Sequence, residues 1–112
     1  MSQLEAHREQ DGDVTIVSFR GEFDYAEMGA AQEEISAAEA QAPAVLVLDL
    51  TGLEFMDSSA VRVIVQADTR ARDQGRRLTL VTGTGPPHRV LSILGLTGRL
   101  DVVADRAAVS PP

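Results

Sequence analysis

The sequence predicts an α/β sandwich in which crossover helices connect the strands of a mixed β-sheet. Two β-prone runs open the chain, an almost continuously apolar run lies near its centre, and segments with helical spacing alternate with the later strands. The predicted order is β-β-α-β-α-β-α-β. Strands that alternate with helices pair in parallel, whereas two strands joined by a short turn pair antiparallel, so this order implies a mixed sheet.

The first part of this order is a hairpin followed by a helix. Residues 4–9 and 14–20 are joined by Asp11-Gly12, a dipeptide that suits the positive φ angles of a tight hairpin turn. Within residues 25–40, apolar side chains recur at helical spacing, and Glu27 stands three residues after Asp24. We therefore predict a hairpin and then a first helix that has Asp24 as its N-cap.

The central part of the order is a buried strand followed by a second helix. Residues 44–50 are apolar and rich in branched side chains, which indicates a strand buried on both faces. Thr51-Gly52 predicts a turn, and residues 53–56 a short buried connection. Asp57-Ser58-Ser59 then precede apolar residues at helical spacing, and Gly75 is suited to end that helix with a left-handed cap.

The last part of the order is shorter and richer in loops. Residues 78–81 predict a strand, 83–87 a loop, 88–94 a third helix and 100–103 a final strand. Only residues 107–109 remain as a short helical segment before the proline-rich end.

Size and composition predict one domain, residues 1–112, with 107–112 as a candidate disordered tail. The hydrophobic fraction of 44% is sufficient for a core. The longest apolar stretches are far shorter than the roughly 20 residues that cross a bilayer, and the polar, acidic N-terminus is unlike a secretory signal. We therefore expect a cytoplasmic protein without a membrane span.

The net charge and the absence of cysteine and lysine limit the classes of partner and of chemistry that the protein can have. The net charge of −7 and the scattered arginines argue against nucleic acid as a partner and favour a protein with a basic patch. The chain has no cysteine, and all 10 of its basic residues are arginine. Thiolate nucleophiles, disulfides, zinc-thiolate sites and lysine chemistry are thereby excluded.

The patterns that would indicate catalysis are incomplete. Ser58 is not in the Gly-x-Ser-x-Gly elbow of a serine hydrolase, and Gly83-Thr84-Gly85 precedes two prolines and lacks the lysine of a phosphate loop. His7 and His88 are isolated, which disfavours a metal site. Asp49 could suggest a phosphorylated receiver domain, but we expect such a site to need a lysine. We predict no enzymatic activity, no cofactor and no metal.

Three segments resemble the STAS-domain family of bacterial anti-sigma factor antagonists. They are Gly21-Glu22-Phe23-Asp24, residues 45–50 and Phe55-Met56-Asp57-Ser58-Ser59-Ala60-Val61. Residues 90–96 are similar to the third helix of that family and the turn after it, so the resemblance extends over nearly the whole chain. It implies a STAS-type sandwich with a mixed four- to five-stranded sheet and helices mainly on one face. In this sequence the C-terminal helix is predicted to be shortened to about one turn.

The resemblance also implies a regulatory site. In the family, the serine that corresponds to Ser58 is phosphorylated by a partner that is both a serine kinase and an anti-sigma factor. The unphosphorylated form binds this partner and frees the sigma factor, and a serine phosphatase is a further candidate partner. The implied site comprises the phosphorylated serine and the residues expected around the docked partner: Glu22, Asp24, Tyr25, Asp57, Ser58, Ser59 and Arg62.

If the resemblance is set aside, Asp57-Ser58-Ser59 reads as a cluster of N-cap residues at the start of the second helix. Either Asp57 or Ser59 could then be the N-cap. A phosphate on Ser58 is expected to be stabilised by free amide groups and the helix dipole, leaving the fold intact. Two features depart from the family: Ala60 replaces the usual glycine, and the C-terminal helix is short. The alternative within the fold is a non-phosphorylated STAS adaptor subunit of a signalling or transport assembly. The oligomeric state stays open between a monomer and a weak dimer.

Overall fold

The computed structural model describes residues 3–112, which form a five-stranded sheet and three α-helices. The strands are β1 (Leu4–Asp11), β2 (Val14–Phe23), β3 (Val45–Met56), β4 (Arg77–Val81) and β5 (Asp101–Val103). They lie in sequence order across the sheet. The pair β1 and β2 is antiparallel and the other three pairs are parallel. The predicted mixed α/β fold is confirmed.

The helices connect neighbouring parallel strands. They are α1 (Met28–Glu39), α2 (Ser58–Asp73) and α3 (Pro86–Ile93), and two single 3₁₀ turns lie at Tyr25–Glu27 and Arg106–Ala108. Because the strand order advances in one direction, right-handed crossovers place all three helices on the same face of the sheet. No helix within residues 3–112 has the length and apolarity needed to cross a bilayer.

Alternate residues of β3 separate the two faces of the sheet. Leu46 and Leu48 point to the helical face, where they are fully buried in the main core with helix residues such as Ile64. Val45 and Val47 point to the other face and belong to a second, smaller apolar cluster. The helices therefore cover one face, as predicted, and a different part of the chain covers the other.

The predicted turn at Thr51-Gly52 is wrong, because β3 continues through it to Met56. The β2–β3 pairing shifts register between Ser18 and Arg20 and again between Gly21 and Glu22. A glycine in a strand often marks such a bulge. A β-carbon on Gly52 would lie 2.9 Å from the backbone oxygen of Phe19, so this glycine permits a close approach of two strands rather than a turn.

The structure also corrects three smaller predictions, which concern residues 53–56, the position of Asp49 near the end of the 44–50 strand, and the start of the first helix. Residues 53–56 are the end of β3 rather than a buried connection, and Phe55 is 46% exposed. Asp49 lies within this strand and not at its end. The first helix begins with a 3₁₀ turn, in which the buried Glu27 leaves helical geometry (φ −98°, ψ 0°) while its Oε1 accepts a hydrogen bond from the backbone of Gln3 at 3.0 Å.

The third helix begins two residues earlier than predicted, at Pro86. Proline lacks an amide hydrogen and has a φ that suits the first turn of a helix, where amides have no intrahelical acceptor. Pro86 and Pro87 therefore start α3 instead of ending the loop before it.

Residues 104–112, which we term the C-terminal strap, lie on the second face of the sheet. Val109 packs into the apolar cluster of Val45 and Val47. The Arg106 guanidinium donates to a carboxylate oxygen of Asp49 at 2.7 Å and to the hydroxyl of Ser18 at 2.7 Å. The short helical segment predicted at residues 107–109 is a single 3₁₀ turn, Arg106–Ala108, within this strap.

The Asp49 carboxylate also accepts hydrogen bonds from Thr51, from the backbone amide at 3.0 Å and from the hydroxyl at 2.7 Å. Burial alone would raise the pKa of Asp49, but the hydrogen bonds from Thr51 and Arg106 outweigh burial and hold this pKa below its ordinary value. The carboxylate is thus a structural anchor for the strap.

We expect Arg106→Ala to lower the free energy of unfolding by about 1 kcal/mol at neutral pH, a modest loss because the Arg106 side chain is 43% exposed. A carboxylate that has a lower pKa in the folded protein than in the unfolded chain stabilises the fold at any pH above its unfolded pKa, which is about 3.9 for aspartate. This stabilisation is lost as the pH falls through the pKa of the folded state. The difference between wild type and variant should therefore shrink from about pH 5 to about pH 3.

Urea unfolding across this pH range measures the difference. Arg89→Ala is the matched control, because Arg89 is exposed and has no ion pair among residues 3–112. An Arg106→Ala deficit that keeps its size at about pH 3 would contradict the assigned role of Asp49.

Candidate functional site

Two parallel strands end side by side and place two helix starts next to each other. Phe23 at the end of β2 pairs with Met56 at the end of β3. Each is followed by an aspartate, Asp24 or Asp57, and then by a helical turn. The backbone amide of Asp57 donates to the carbonyl of Phe23 at 3.3 Å. The carboxyl edge of a parallel sheet is a common location for functional residues, and this edge holds most of the predicted site.

Both aspartates cap the turns that follow them. Asp24 Oδ1 accepts a hydrogen bond from the amide of Ala26 at 3.1 Å and so caps the 3₁₀ turn Tyr25–Glu27. This differs from the predicted N-cap of the first helix, because Glu27 holds that position in α1. Asp57 Oδ1 accepts from the amides of Ser59 at 2.9 Å and Ala60 at 3.2 Å. Asp57 is therefore the N-cap of α2. The first amides of this helix are engaged by a carboxylate, whereas the sequence suggested that they would be free for a phosphate.

Ser58 is the first residue of α2 and is exposed. Its hydroxyl has no hydrogen-bond partner within residues 3–112, because the capping role belongs to Asp57. The helix start therefore does not depend on the Ser58 hydroxyl. This oxygen is available to another molecule without local unfolding.

A surface groove of about 610 Å³ lies between the starts of α1 and α2. Its lining residues come from both helices and from the 3₁₀ turn before α1: Tyr25, Met28, Gly29, Gln32, Ser58, Ser59 and Arg62. Tyr25 is 76% exposed at its rim. The groove thus brings together four residues of the predicted site, namely the tyrosine, both serines and the arginine.

The remaining predicted residues do not line the groove. Glu22 is half-buried and pairs with Phe55 in the β2–β3 ladder. Asp24 and Asp57 lie beneath the helix starts, where their carboxylates act as caps. These three acidic residues shape the ends of the strands, while the groove lining contains no carboxylate from residues 3–112.

Three groove residues were missed from the sequence. The helical spacing of apolar residues within 25–40 predicts a core position for Met28, and it predicts no role for Gly29 or Gln32. Met28 is half-buried and lies between core and groove. Its spacing of three residues from Tyr25 and four from Gln32 places all three on one side of a helical segment, a signal that points to the groove only when a neighbouring helix is known to lie there.

The residues that line the groove are suited to docking rather than to catalysis. They offer hydroxyls, one amide, two larger apolar groups and a single cation, Arg62. Among the residues that the structure describes, no histidine or carboxylate lines the groove to serve as a base for Ser58. Within residues 3–112 no cluster of three or more histidine, aspartate or glutamate side chains could hold a metal ion.

Comparisons with known proteins agree with this architecture. The family model described as the STAS domain matches residues 5–108. Anti-sigma-F factor antagonist RsfA of Mycobacterium tuberculosis is 32% identical over 94 residues, which cover 82% of this chain and 73% of that relative. The family-model match includes all of β2, β3 and α2.

Solved structures show the same fold. An anti-sigma factor antagonist from Mycobacterium paratuberculosis superposes with a TM-score of 0.85 at 22% identity, covering 93% of this chain and 88% of that one. Bacillus SpoIIAA in its phosphorylated form gives a TM-score of 0.70 at 20% identity, covering 93% and 96%. Since the family model spans almost all of the sequence and a relative above 30% identity matches most of it, this chain belongs to the STAS domain family.

Proposed function

We propose that this protein is an anti-sigma factor antagonist that docks an anti-sigma factor through the groove and is released when Ser58 is phosphorylated. The observation that carries the proposal is the exposed Ser58 hydroxyl, which lies in the groove and is not needed for the helix cap. Support also comes from RsfA and SpoIIAA, which are both described as anti-sigma factor antagonists, and SpoIIAA has been solved in unphosphorylated and phosphorylated forms.

Phosphorylation requires access and an external enzyme. Ser58 precedes the body of α2 and is exposed, so a kinase active site can reach it while the fold stays intact. The catalytic base, the nucleotide and its metal ions belong to the kinase. Here the partner is an anti-sigma factor that is also a serine kinase, and a serine phosphatase would restore the hydroxyl.

A phosphate at Ser58 would oppose docking for electrostatic reasons. It carries about −1.5 to −2 charges at neutral pH. Asp57, which directly precedes Ser58, already carries a carboxylate, so the phosphate increases the negative potential at the start of α2. Docking would have to strip water from that dianion, which is costly without a matched cation on the partner.

The docking surface combines an aromatic anchor with polar contacts. Tyr25 is largely exposed, and aromatic side chains of this kind dominate the energetics of protein interfaces. Arg62 and Ser59 complete the contact surface within the groove. Glu22, Asp24 and Asp57 set the shape and charge of the strand ends beneath it. The protein then acts by binding, without a reaction of its own.

Phosphate transfer to Ser58 provides the direct test. Incubation with ATP and candidate anti-sigma kinases should add one phosphate to the tryptic peptide of residues 21–62, and fragmentation should place it on Ser58. Ser58→Ala should abolish incorporation because the acceptor oxygen is removed. Ser92→Ala, at an exposed serine of α3 outside the groove, is the matched control and should keep it.

Incorporation that persists in Ser58→Ala would refute the assignment of the acceptor. A partner that binds the groove but never transfers phosphate would favour the non-phosphorylated adaptor instead.

A further inference from the structure

The groove contains one cation, and it lies one helical turn from the proposed phosphorylation site. Arg62 follows Ser58 by four residues on α2, and both line the groove. Side chains with this spacing are neighbours on a helix, with β-carbons about 5–6 Å apart. Arg62 is exposed and forms no ion pair within residues 3–112, in contrast to Arg70 and Arg72 on the later turns of α2.

The local electrostatics leave a phosphate on Ser58 with few other partners. The amides of Ser59 and Ala60 already donate to Asp57. The Asp57 carboxylate would repel the phosphate, and the Tyr25 hydroxyl that lines the groove carries no positive charge. Among residues 3–112, Arg62 is therefore the one positively charged donor that lines the groove, and it is not engaged in an ion pair.

On this basis we propose that Arg62 clamps the phosphate of phosphorylated Ser58, an inference that rests on the proposed function. An arginine presents parallel N–H groups that match phosphate oxygens, so the clamp forms charge-assisted hydrogen bonds across one turn of α2. No bond other than the phosphoester of Ser58 is made or broken, and the backbone does not move.

The clamp changes the groove in two ways at once. The unphosphorylated groove carries the single positive charge of Arg62, available to an acidic side chain of a partner. After phosphorylation the sum of this charge and about −1.5 to −2 is about −0.5 to −1. The groove therefore reverses its sign, and its cation is withdrawn from the partner.

Phosphorus NMR of the full chain carrying phosphoserine at position 58 tests the clamp without any partner. The second pKa of phosphoserine is about 6, and a neighbouring guanidinium lowers it by favouring the dianion. We expect Arg62→Gln to raise the phosphate pKa by about 0.5 unit, and Arg62→Lys to restore part of the decrease. The difference should narrow at about 1 M salt, which screens exposed charges.

Arg89→Gln is the matched control, because Arg89 is exposed on α3 and does not line the groove, and it should leave the phosphate pKa unchanged. Equal pKa values in wild type and Arg62→Gln would overturn the clamp. Docking is measured separately with the unphosphorylated and phosphorylated proteins. If wild type and Arg62→Gln have the same phosphate pKa but phosphorylation still weakens docking, the clamp is refuted and the proposed function stands. If the phosphate pKa differs between the two proteins but phosphorylation leaves docking unchanged, the proposed function is refuted and the clamp stands.

Discussion

Ser58→Asp should weaken docking of the anti-sigma partner at least about 100-fold, because a loss of about 3 kcal/mol corresponds to roughly two orders of magnitude in affinity. The substituted carboxylate enters the groove beside Asp57 and must be desolvated where the partner contacts Tyr25. Titration calorimetry with an anti-sigma factor that binds the wild-type protein measures the change directly.

Two variants show whether the effect is local. Ser58→Ala should keep affinity within a few-fold of wild type, since it removes no charge and the cap of α2 belongs to Asp57. Ser92→Asp, on an exposed serine of α3 outside the groove, adds the same charge and should leave docking unchanged. A Ser58→Asp protein that binds as tightly as wild type would refute control of docking at this position.

Gly21→Ala should lower the free energy of unfolding by about 3 kcal/mol, the largest stability effect that we expect from a single added methyl group. Gly21 has φ +100°, which L-amino acids with side chains rarely adopt. A β-carbon there would overlap the backbone oxygen of Gln3. The same oxygen accepts a hydrogen bond from the amide of Glu22 at 2.9 Å, so relief of the overlap would separate β1 from the end of β2.

Urea unfolding compares this variant with Gly98→Ala. A β-carbon on Gly98 would have no heavy atom within 4 Å, so this control should change stability by less than about 0.5 kcal/mol. If Gly21→Ala were as stable as Gly98→Ala, the close approach of the first strand to Gly21 would be contradicted.

The sequence was sufficient to predict the order of all five strands and three helices, because hydrophobic spacing and local caps specify those elements within short windows. It failed at Thr51-Gly52. A glycine next to a polar residue usually ends a strand, but here it permits a bulge against Phe19 and Arg20 of β2. That contact depends on a neighbour about thirty positions away, which a local pattern does not contain.

In the candidate site, too, the sequence predicts what depends on local residues and misses what depends on tertiary contacts. Ser58 at a helix start followed from the Asp-Ser-Ser cluster and the spacing after it. The groove requires α1 to begin beside α2, which follows from the pairing of Phe23 with Met56 across parallel strands. Met28 and Gln32 therefore gained a place in the site only from the tertiary structure. For the same reason, the sequence could not separate the groove residues from Glu22.

The cap formed by Asp57 affects how fast the protein can respond to phosphorylation. Its two hydrogen bonds to the first turn of α2 do not involve the side chain that receives the phosphate, so neither addition nor removal of the phosphate needs a helix to form or melt. Under the proposed function, the response time is then governed by the turnover of the opposing kinase and phosphatase. Conformational relaxation contributes no slow step.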